Sequence, residues 1–289
     1  MNLTNIHDLP QALVDAVRND PYKGGGDISV TKLIDSPQRR VLLGTYKEAI
    51  VEDVSERIWS LLGQAVHTIL ERANKSDIVE ERLFADVDGW SVSGQFDRMD
   101  LHNETLDDYK CTSTYKVMMS DMKEWERQLN ILRWLAAQNG YKVEKLRIIA
   151  ILRDWRKADA KRKPEYPQKP VATIDIPVWS LDETYEYIKS RVNLHQSAVA
   201  GEKVECTDEE RWYEGTTYAL MKKGGKRAIR VFERKEDAES QLADGQYVET
   251  RKGGYRRCAE YCEVSEFCNQ YQSERQDNEA TVWETGNDS

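Results

Sequence analysis

The chain has 289 residues, 39% of them hydrophobic and 32% charged, with a formal net charge of −9; this is enough for a large buried core and excludes a disordered chain. No run approaches the roughly 18 apolar residues of a membrane span, and "MNLTNIHDLPQALVDAVRND" lacks the basic and apolar regions of a secretory signal, so the expectation is a cytoplasmic protein without a membrane partner. The acidic balance argues against a surface coated for non-specific nucleic-acid binding but leaves room for local basic runs, of which Arg153–Lys163 and Met221–Lys235 are two.

Residues 1–47 read as an N-terminal helical segment. Residues 48–74 read as a helix whose stripe of Ile58, Leu61, Leu62, Ala65 and Ile69 is widened by Trp59, Val66 and Leu70; a helix apolar nearly all round is expected to be buried. His67 lies on it, one turn after Gly63, and by itself reads as a hydrogen-bonded core histidine. Strands follow from Ile78 to Cys111, with a tight hairpin at Asp88-Gly89. The run "WSVSGQFDRMDL" reaches a second turn at His102–Glu104, and "TLDDYKC" returns. Glu80 and Glu81, opening the first strand, could assist a site there, but a solvated pair is the expectation.

Residues 120–139 predict a helix with Met122, Trp125, Leu129, Leu132 and Leu135 on one face, ended by Gly140. "KLRIIAILRDW" is a strand, and Ser180 with Glu183 forms a capping box for the helix after it. Residues 48–200 are thus one α/β unit, a mixed central sheet flanked by helices. Residues 201–272 form a C-terminal elaboration packed on it, with a hairpin closed at Gly224-Gly225, and 273–289 is an acidic, disordered tail.

A two-residue turn at His102-Asn103 would pair positions summing to 205, which opposes Met99 to Leu106 and Asp97 to Asp108. Opposed residues share a sheet face with Cβ atoms about 4.5–5.5 Å apart, and strand alternation adds Lys110 to that face. Two carboxylates beside a lysine suit phosphodiester hydrolysis. Asp97 and Asp108 can hold Mg²⁺ or Mn²⁺, the metal acidifies bound water, and Lys110 can orient that water or stabilise the developing oxyanion.

The segments "GQAVHTILE", "GQFDRMD", "LDDYKCTS" and "RQLNILRWL", in that order, resemble the motifs of the PD-(D/E)xK nuclease superfamily, specifically its RecB-like exonuclease branch. The resemblance implies a restriction-endonuclease-like core. It also implies His67, Asp97, Asp108 and the backbone carbonyl of Tyr109 as metal ligands, Lys110 as the catalytic lysine, and Gln128 as a residue that positions DNA or the lysine. Leu132 stands where that branch usually has tyrosine. The implied activity is a metal-dependent DNA exonuclease acting on single-stranded DNA or ends in recombination, replication or repair, with relatives in phages and CRISPR adaptation and a helicase or recombination protein as possible partner. A catalytically silent DNA-binding subunit and a structure-specific endonuclease are the alternatives.

Of the five cysteines, Cys258, Cys262 and Cys268 fall within eleven residues. Three soft ligands so close suit zinc or an iron–sulfur cluster, and spacing alone does not choose. The resemblance implies a [4Fe–4S] cluster, but Ser36-Pro37 occupies the place where the distant fourth cysteine usually lies. Cys206 is the replacement, while Cys111 reads as a small core residue. The hairpin cations Lys222, Lys223, Lys226, Arg227, Arg230, Arg234 and Lys235, interleaved with Tyr218 and Phe232, are either a solubilising face or a clamp on a DNA backbone. Trp155 beside Arg153 and Arg156 reads as a similar patch.

Overall fold

A computed structural model describes residues 2–19, 24–73, 77–119 and 122–275. The chain divides into two compact units, one of residues 1–41 and 47–204, the other of residues 42–46 and 205–289. Residues 276–289, read from the sequence as part of a disordered tail, lie outside the described residues. Among the described residues no helix is long and apolar enough to cross a membrane.

The first unit is α/β. The N-terminal stretch is not purely helical: β1 (Asn2–Thr4), α1 (Gln11–Arg18), β2 (Ile28–Ser29), α2 (Val30–Ile34) and α3 (Pro37–Thr45) alternate, the last residues of α3 being counted with the second unit. The helix expected over 48–74 is also shorter. Residues Val51–Asp53 form β3, which pairs in parallel with β1. Asp53 caps a 3₁₀ turn by accepting from the Ser55 N–H, and only then does α4 (Ile58–Ala73) begin. No side chain of α4 is buried, contrary to the sequence expectation. A helix laid on one side of a sheet can bury a single stripe, so Trp59, Leu62 and Ile69 on its other sides stay exposed.

The strands β4 (Ile78–Val79), β5 (Arg82–Val87), β6 (Trp90–Gln95), β7 (Arg98–Asp100) and β8 (Thr105–Thr112) come next, followed by α5 (Thr114–Met118), α6 (Lys123–Gln138), β9 (Lys145–Leu152), α7 (Lys157–Arg162), β10 (Val171–Ile176) and α8 (Leu181–Val199). They form a mixed five-stranded sheet in the order β10-β9-β8-β7-β4 and a three-stranded sheet β2-β6-β5. The β8–β9 pair is parallel and its neighbours are antiparallel.

The β7–β8 ladder pairs Arg98 with Asp107, Met99 with Leu106 and Asp100 with Thr105, the register whose positions sum to 205, but it ends at Arg98, so the expected opposition of Asp97 to Asp108 is not part of it. The turn itself spans four residues, Leu101–Glu104, fastened by Asp100, which accepts from the Asn103 backbone N–H at 2.9 Å and from its side-chain amide at 2.8 Å. At Asp88-Gly89 both φ angles are positive, 47° and 81°, as a type I′ turn requires.

The helix α6 carries its apolar stripe into the core, where Leu129, Leu132 and Leu135 are fully buried with Phe96, Met99, Leu106 and Ile148. Gly94 permits that packing. A Cβ there would lie 2.5 Å from Leu132 Cδ2 and 2.8 Å from Val30 Cγ2, so helix and strand meet at a distance only glycine allows. Leu132, at the position where tyrosine is usual, is therefore a core residue. At α8, Ser180 Oγ accepts from the Glu183 N–H at 3.1 Å as its sequence foretold.

The second unit holds a three-stranded antiparallel sheet of β11 (Thr217–Lys222), β12 (Ala228–Phe232) and β13 (Gln246–Arg251), in the order β12-β11-β13. The helix α9 (Lys235–Glu239) covers one face, and Leu220, Phe232 and Ala238 form a small core with Tyr218 and Val248 against it.

Candidate active site

The run "WSVSGQFDRMDL" is not one strand. It breaks at Phe96-Asp97, between β6 of one sheet and β7 of the other, and the neighbouring chain breaks at the same level, at Glu80-Glu81 between β4 and β5. The two breaks are tied together, because the Glu80 N–H donates to the Asp97 carbonyl at 3.2 Å and the Phe96 N–H to the Glu81 carbonyl at 3.3 Å. Glu80 takes a φ of +52°, a conformation uncommon for a side chain of its kind. Released from the ladders, both acidic side chains turn toward α4.

There they meet His67. Its Nδ1 lies 3.3 Å from Asp97 Oδ1 and 3.5 Å from Glu80 Oε1, while Nε2 is 3.1 Å from the Tyr109 carbonyl oxygen. The Tyr109 N–H in turn donates to Asp97 Oδ2 at 2.6 Å. Hydrogen bonds to Asp97 and then Glu80 push the imidazole pKa up to about 10 against the opposing effect of burial, so the ring is a cation at neutral pH. It is 31% exposed, which makes it a site residue at the surface and not a core histidine. His67, Glu80 and Asp97 each offer a ligand atom within 4.8 Å of the others. The sequence favoured a solvated pair for Glu80 and Glu81, and Glu80 instead joins this cluster. Its carboxylate is aimed by Gln95 Nε2, which donates to Glu80 Oε2 at 2.6 Å while Arg82 donates to Gln95 Oε1 at 2.8 Å.

Asp108 and Lys110 occupy one face of β8, and α6 brings Gln128 to them. Lys110 Nζ is 2.7 Å from Asp108 Oδ2 and 3.1 Å from Oδ1. It also donates to Gln128 Oε1 at 3.1 Å, and Gln128 Nε2 returns to Asp108 Oδ1 at 3.1 Å. These three bonds close a ring. Asp108 is only 2% exposed, and its ladder partner on β9 is the buried Ile148. Burial therefore raises the Asp108 pKa to about 6, opposed by Lys110 and helped by Asp97. Burial depresses the Lys110 ammonium, but Asp108 outweighs it and the net direction is up. Lys110 is held as a cation.

Asp107, the other acid of "LDDYKCTS", faces the opposite side of β8 and does different work. It is clamped between Arg98 on β7, with which it forms a very short ion pair, and Arg147 on β9, whose Nε lies 2.7 Å away. These arginines are its direct partners in the two ladders. Asp107 thus welds three strands of the central sheet beneath the site.

In the patch expected around Trp155, the indole N–H donates to the Pro167 carbonyl at 2.7 Å and Arg153 lies 4.6 Å over the exposed Trp59 ring, with Arg153 and Arg156 both exposed. In the second unit, the Cys206 N–H donates to Gln270 Oε1 and Gln270 Nε2 donates to the Cys206 carbonyl, both at 2.9 Å. This two-point clamp fixes Cys206 against Gln270, two residues after Cys268 in the chain. Arg211, nearly buried, stacks 3.4 Å above the Tyr255 ring, bonds Glu274 through Nη1 at 2.8 Å and reaches the Cys258 thiol. All five cysteines are among the described residues and none is in a disulfide.

No protein-family model matches the sequence, and no curated protein matches it. Among solved structures the chain is similar to SSO0001, with 18% identity over 64% of this chain and 82% of the other and a TM-score of 0.44. It is also similar to a phage-related exonuclease from Haemophilus somnus 129PT, with 12% identity over 66% of this chain and 82% of the other and a TM-score of 0.31. Likeness at this level carries no argument about activity. The residues of the site must carry it.

Proposed function

We propose that the protein is a metal-dependent DNA nuclease, an exonuclease acting on single-stranded DNA or DNA ends, of the PD-(D/E)xK kind. The observation that supports this most is the convergence of two unlike half-sites on β8: a cation-seeking cluster around Asp97, and a lysine held against a buried carboxylate and an amide.

The residues present fit a divalent ion. Asp97 and the Tyr109 carbonyl offer hard oxygen donors beside the His67 imidazolium, whose ring would have to lose its proton to act as a ligand, while Asp108 lies on Lys110 and Gln128 and outside this group of close ligand atoms. Glu80 adds a further carboxylate. A bound Mg²⁺ or Mn²⁺ would acidify its water and offset charge on the phosphate. The protein's own groups do the rest. Lys110, kept protonated by Asp108, presents an ammonium that orients the attacking water or meets the developing oxyanion. Gln128 fixes both partners so that Lys110 does not swing away. Asp97 holds the Tyr109 peptide so that its carbonyl stays turned to the site.

For the second unit the proposal is a [4Fe–4S] cluster held by Cys206, Cys258, Cys262 and Cys268, supported by the clamp that Gln270 places on Cys206 and by the buried cation Arg211 beside Cys258. Iron and zinc analysis of anaerobically purified protein separates this from a zinc site.

The deciding experiment uses end-labelled linear single-stranded DNA with Mg²⁺ or Mn²⁺ against EDTA, with closed circular DNA and Asp108→Ala in parallel. Metal-dependent loss of linear DNA, absent in Asp108→Ala and on circles, is expected. Cutting of circles would make the protein an endonuclease, and binding without cutting under any metal would leave a silent DNA-binding subunit.

A further inference from the structure

The hairpin of the second unit carries charge that the fold does not use. Between Thr217 and Lys235 there are seven basic residues and one acidic residue, Glu233, in a chain whose net charge is −9. Arg234 and Lys235 are answered by Glu236 at 3.8 Å and Glu239 at 3.4 Å on α9. Lys222, Lys223, Lys226, Arg227 and Arg230 have no carboxylate partner among the described residues, and all five are exposed. The turn that gathers them is well formed. Gly224 has a φ of +76°, the Gly225 N–H donates to the Lys222 carbonyl at 2.8 Å, and the Lys223 N–H reaches the Gly245 carbonyl at 2.8 Å. Four cations therefore project from one tight tip, and mutual repulsion there is unfavourable unless an anion answers it.

Beside the tip, the sheet leaves apolar surface uncovered. Ile229 and Val231 on β12 are about half exposed, and Tyr247 on β13 is 40% exposed. Tyr247 is the ladder partner of Met221, one residue before Lys222, so its ring lies at the tip end of the sheet on the face away from α9, while Lys222 itself alternates to the other face. Cations along a strand edge beside an accessible aromatic ring match a sugar–phosphate backbone carrying unstacked bases. A duplex hides its base faces, and a lipid surface would call for a larger apolar face than two aliphatic side chains.

We propose that the β11–β12 hairpin, through Lys222, Lys223, Lys226 and Arg227 with Tyr247 beside them, is a binding surface for single-stranded DNA. It deepens the nuclease reading by assigning a strand-holding surface, yet is tested without any cleavage. Binding of a labelled oligothymidylate is followed by fluorescence anisotropy in EDTA, from about 50 to 200 mM salt, where each phosphate contact on a single strand contributes about 0.7 to the slope of log affinity against log salt. The fourfold variant K222Q/K223Q/K226Q/R227Q changes only exposed side chains. It is expected to lower the slope by about 2–3 and the affinity at least tenfold. Tyr247→Ala is expected to weaken binding roughly tenfold with the slope unchanged.

An unaltered slope and affinity in the fourfold variant would overturn the proposal, as would tighter, equally hairpin-dependent binding to phosphatidylserine vesicles. An unaffected Tyr247→Ala would overturn the stacking half of it. The two readings fail separately. Hairpin-dependent binding with no cleavage removes the nuclease reading and keeps this one, whereas cleavage by a protein whose fourfold variant binds as well as wild type does the reverse.

Discussion

Asp97 and Tyr109 are joined through the backbone: the Tyr109 N–H donates to Asp97 Oδ2 at 2.6 Å, while the other carboxylate oxygen reaches His67 at 3.3 Å. One side chain therefore aligns a peptide and a helix at once. Asp97→Asn is expected to keep a bond to the Tyr109 N–H through its amide oxygen and to lose the charge that a metal and His67 require. The rate of the proposed nuclease reaction should fall by more than about 100-fold, with the thermal midpoint within a few degrees of wild type. A large drop in that midpoint with equal loss of activity would mean that Asp97 serves the fold and not the chemistry.

The ring of Lys110, Asp108 and Gln128 makes a graded prediction. Lys110→Met removes the cation and strands a carboxylate that is already pushed up to about 6 by burial, so activity is expected to vanish. Gln128→Ala leaves the Lys110–Asp108 contact in place and removes only the third side of the ring. Its cost is expected in the turnover number, about 10-fold to 100-fold, with KM little changed, because a positioning residue acts on geometry and not on substrate affinity. A rise in KM alone would assign Gln128 to DNA binding. Gln128→Glu, which keeps an acceptor for Lys110, separates the two further: it should recover part of the rate only if orienting the ammonium is the role.

What the sequence made legible were features governed by local rules. The register of β7 on β8 follows from turn length and strand alternation, the Asp88-Gly89 turn from dihedral preference, and the buried stripe of α6 from its period. The break at Phe96-Asp97 was not read, although "WSVSGQFDRMDL" carries two marks of it: Gly94 two residues earlier, and a one-residue shift of the apolar positions from Trp90, Val92 and Phe96 to Met99 and Leu101; nothing comparable marks the break at Glu80. They exist because two sheets share those chains, a tertiary fact. For the same reason the paired acids Glu80 and Glu81 gave no sign of which would turn inward: Glu80 meets His67, and Glu81 accepts from the Tyr141 hydroxyl at 3.0 Å. The apolar run on α4 misled in the other direction, since periodicity reports which residues could be buried and not how many sides the fold will cover.

Gly94 tests the packing that holds β6 under α6. The Cβ of Gly94→Ala would come within 2.9 Å of three side-chain atoms, on Leu132, Val30 and Leu135, all in the core. Helix and strand must separate or three side chains must shift, and overpacking of this kind costs about 1–3 kcal/mol. Urea unfolding should show a lower midpoint with an unchanged slope. The double variant Gly94→Ala/Leu132→Ala should cost less than the sum of the two separate costs, because the two changes share one contact.

His195 gives the pH prediction. It lies on α8, 1% exposed, with Nε2 3.2 Å from the Leu33 carbonyl and Nδ1 buried without a hydrogen-bond partner. Burial is the main cause that holds its pKa down at about 4, with Arg191 and Arg40 adding to it against the Leu33 bond. An unfolded chain would take up that proton near pH 6.5. Between about pH 6.5 and 4 the unfolded state binds more protons than the native state, so this group's contribution is full above pH 6.5 and declines as pH falls through that window, by at most about 1.4 kcal/mol per pH unit. His195→Gln retains an amide donor for the Leu33 carbonyl and cannot titrate. The stability difference between wild type and His195→Gln, measured by denaturant unfolding, should therefore shift toward the variant on acidification from pH 7 to 5. A difference that stays constant over that range would show that His195 accepts its proton in the native state, with the helix opening at Nδ1 to let water in.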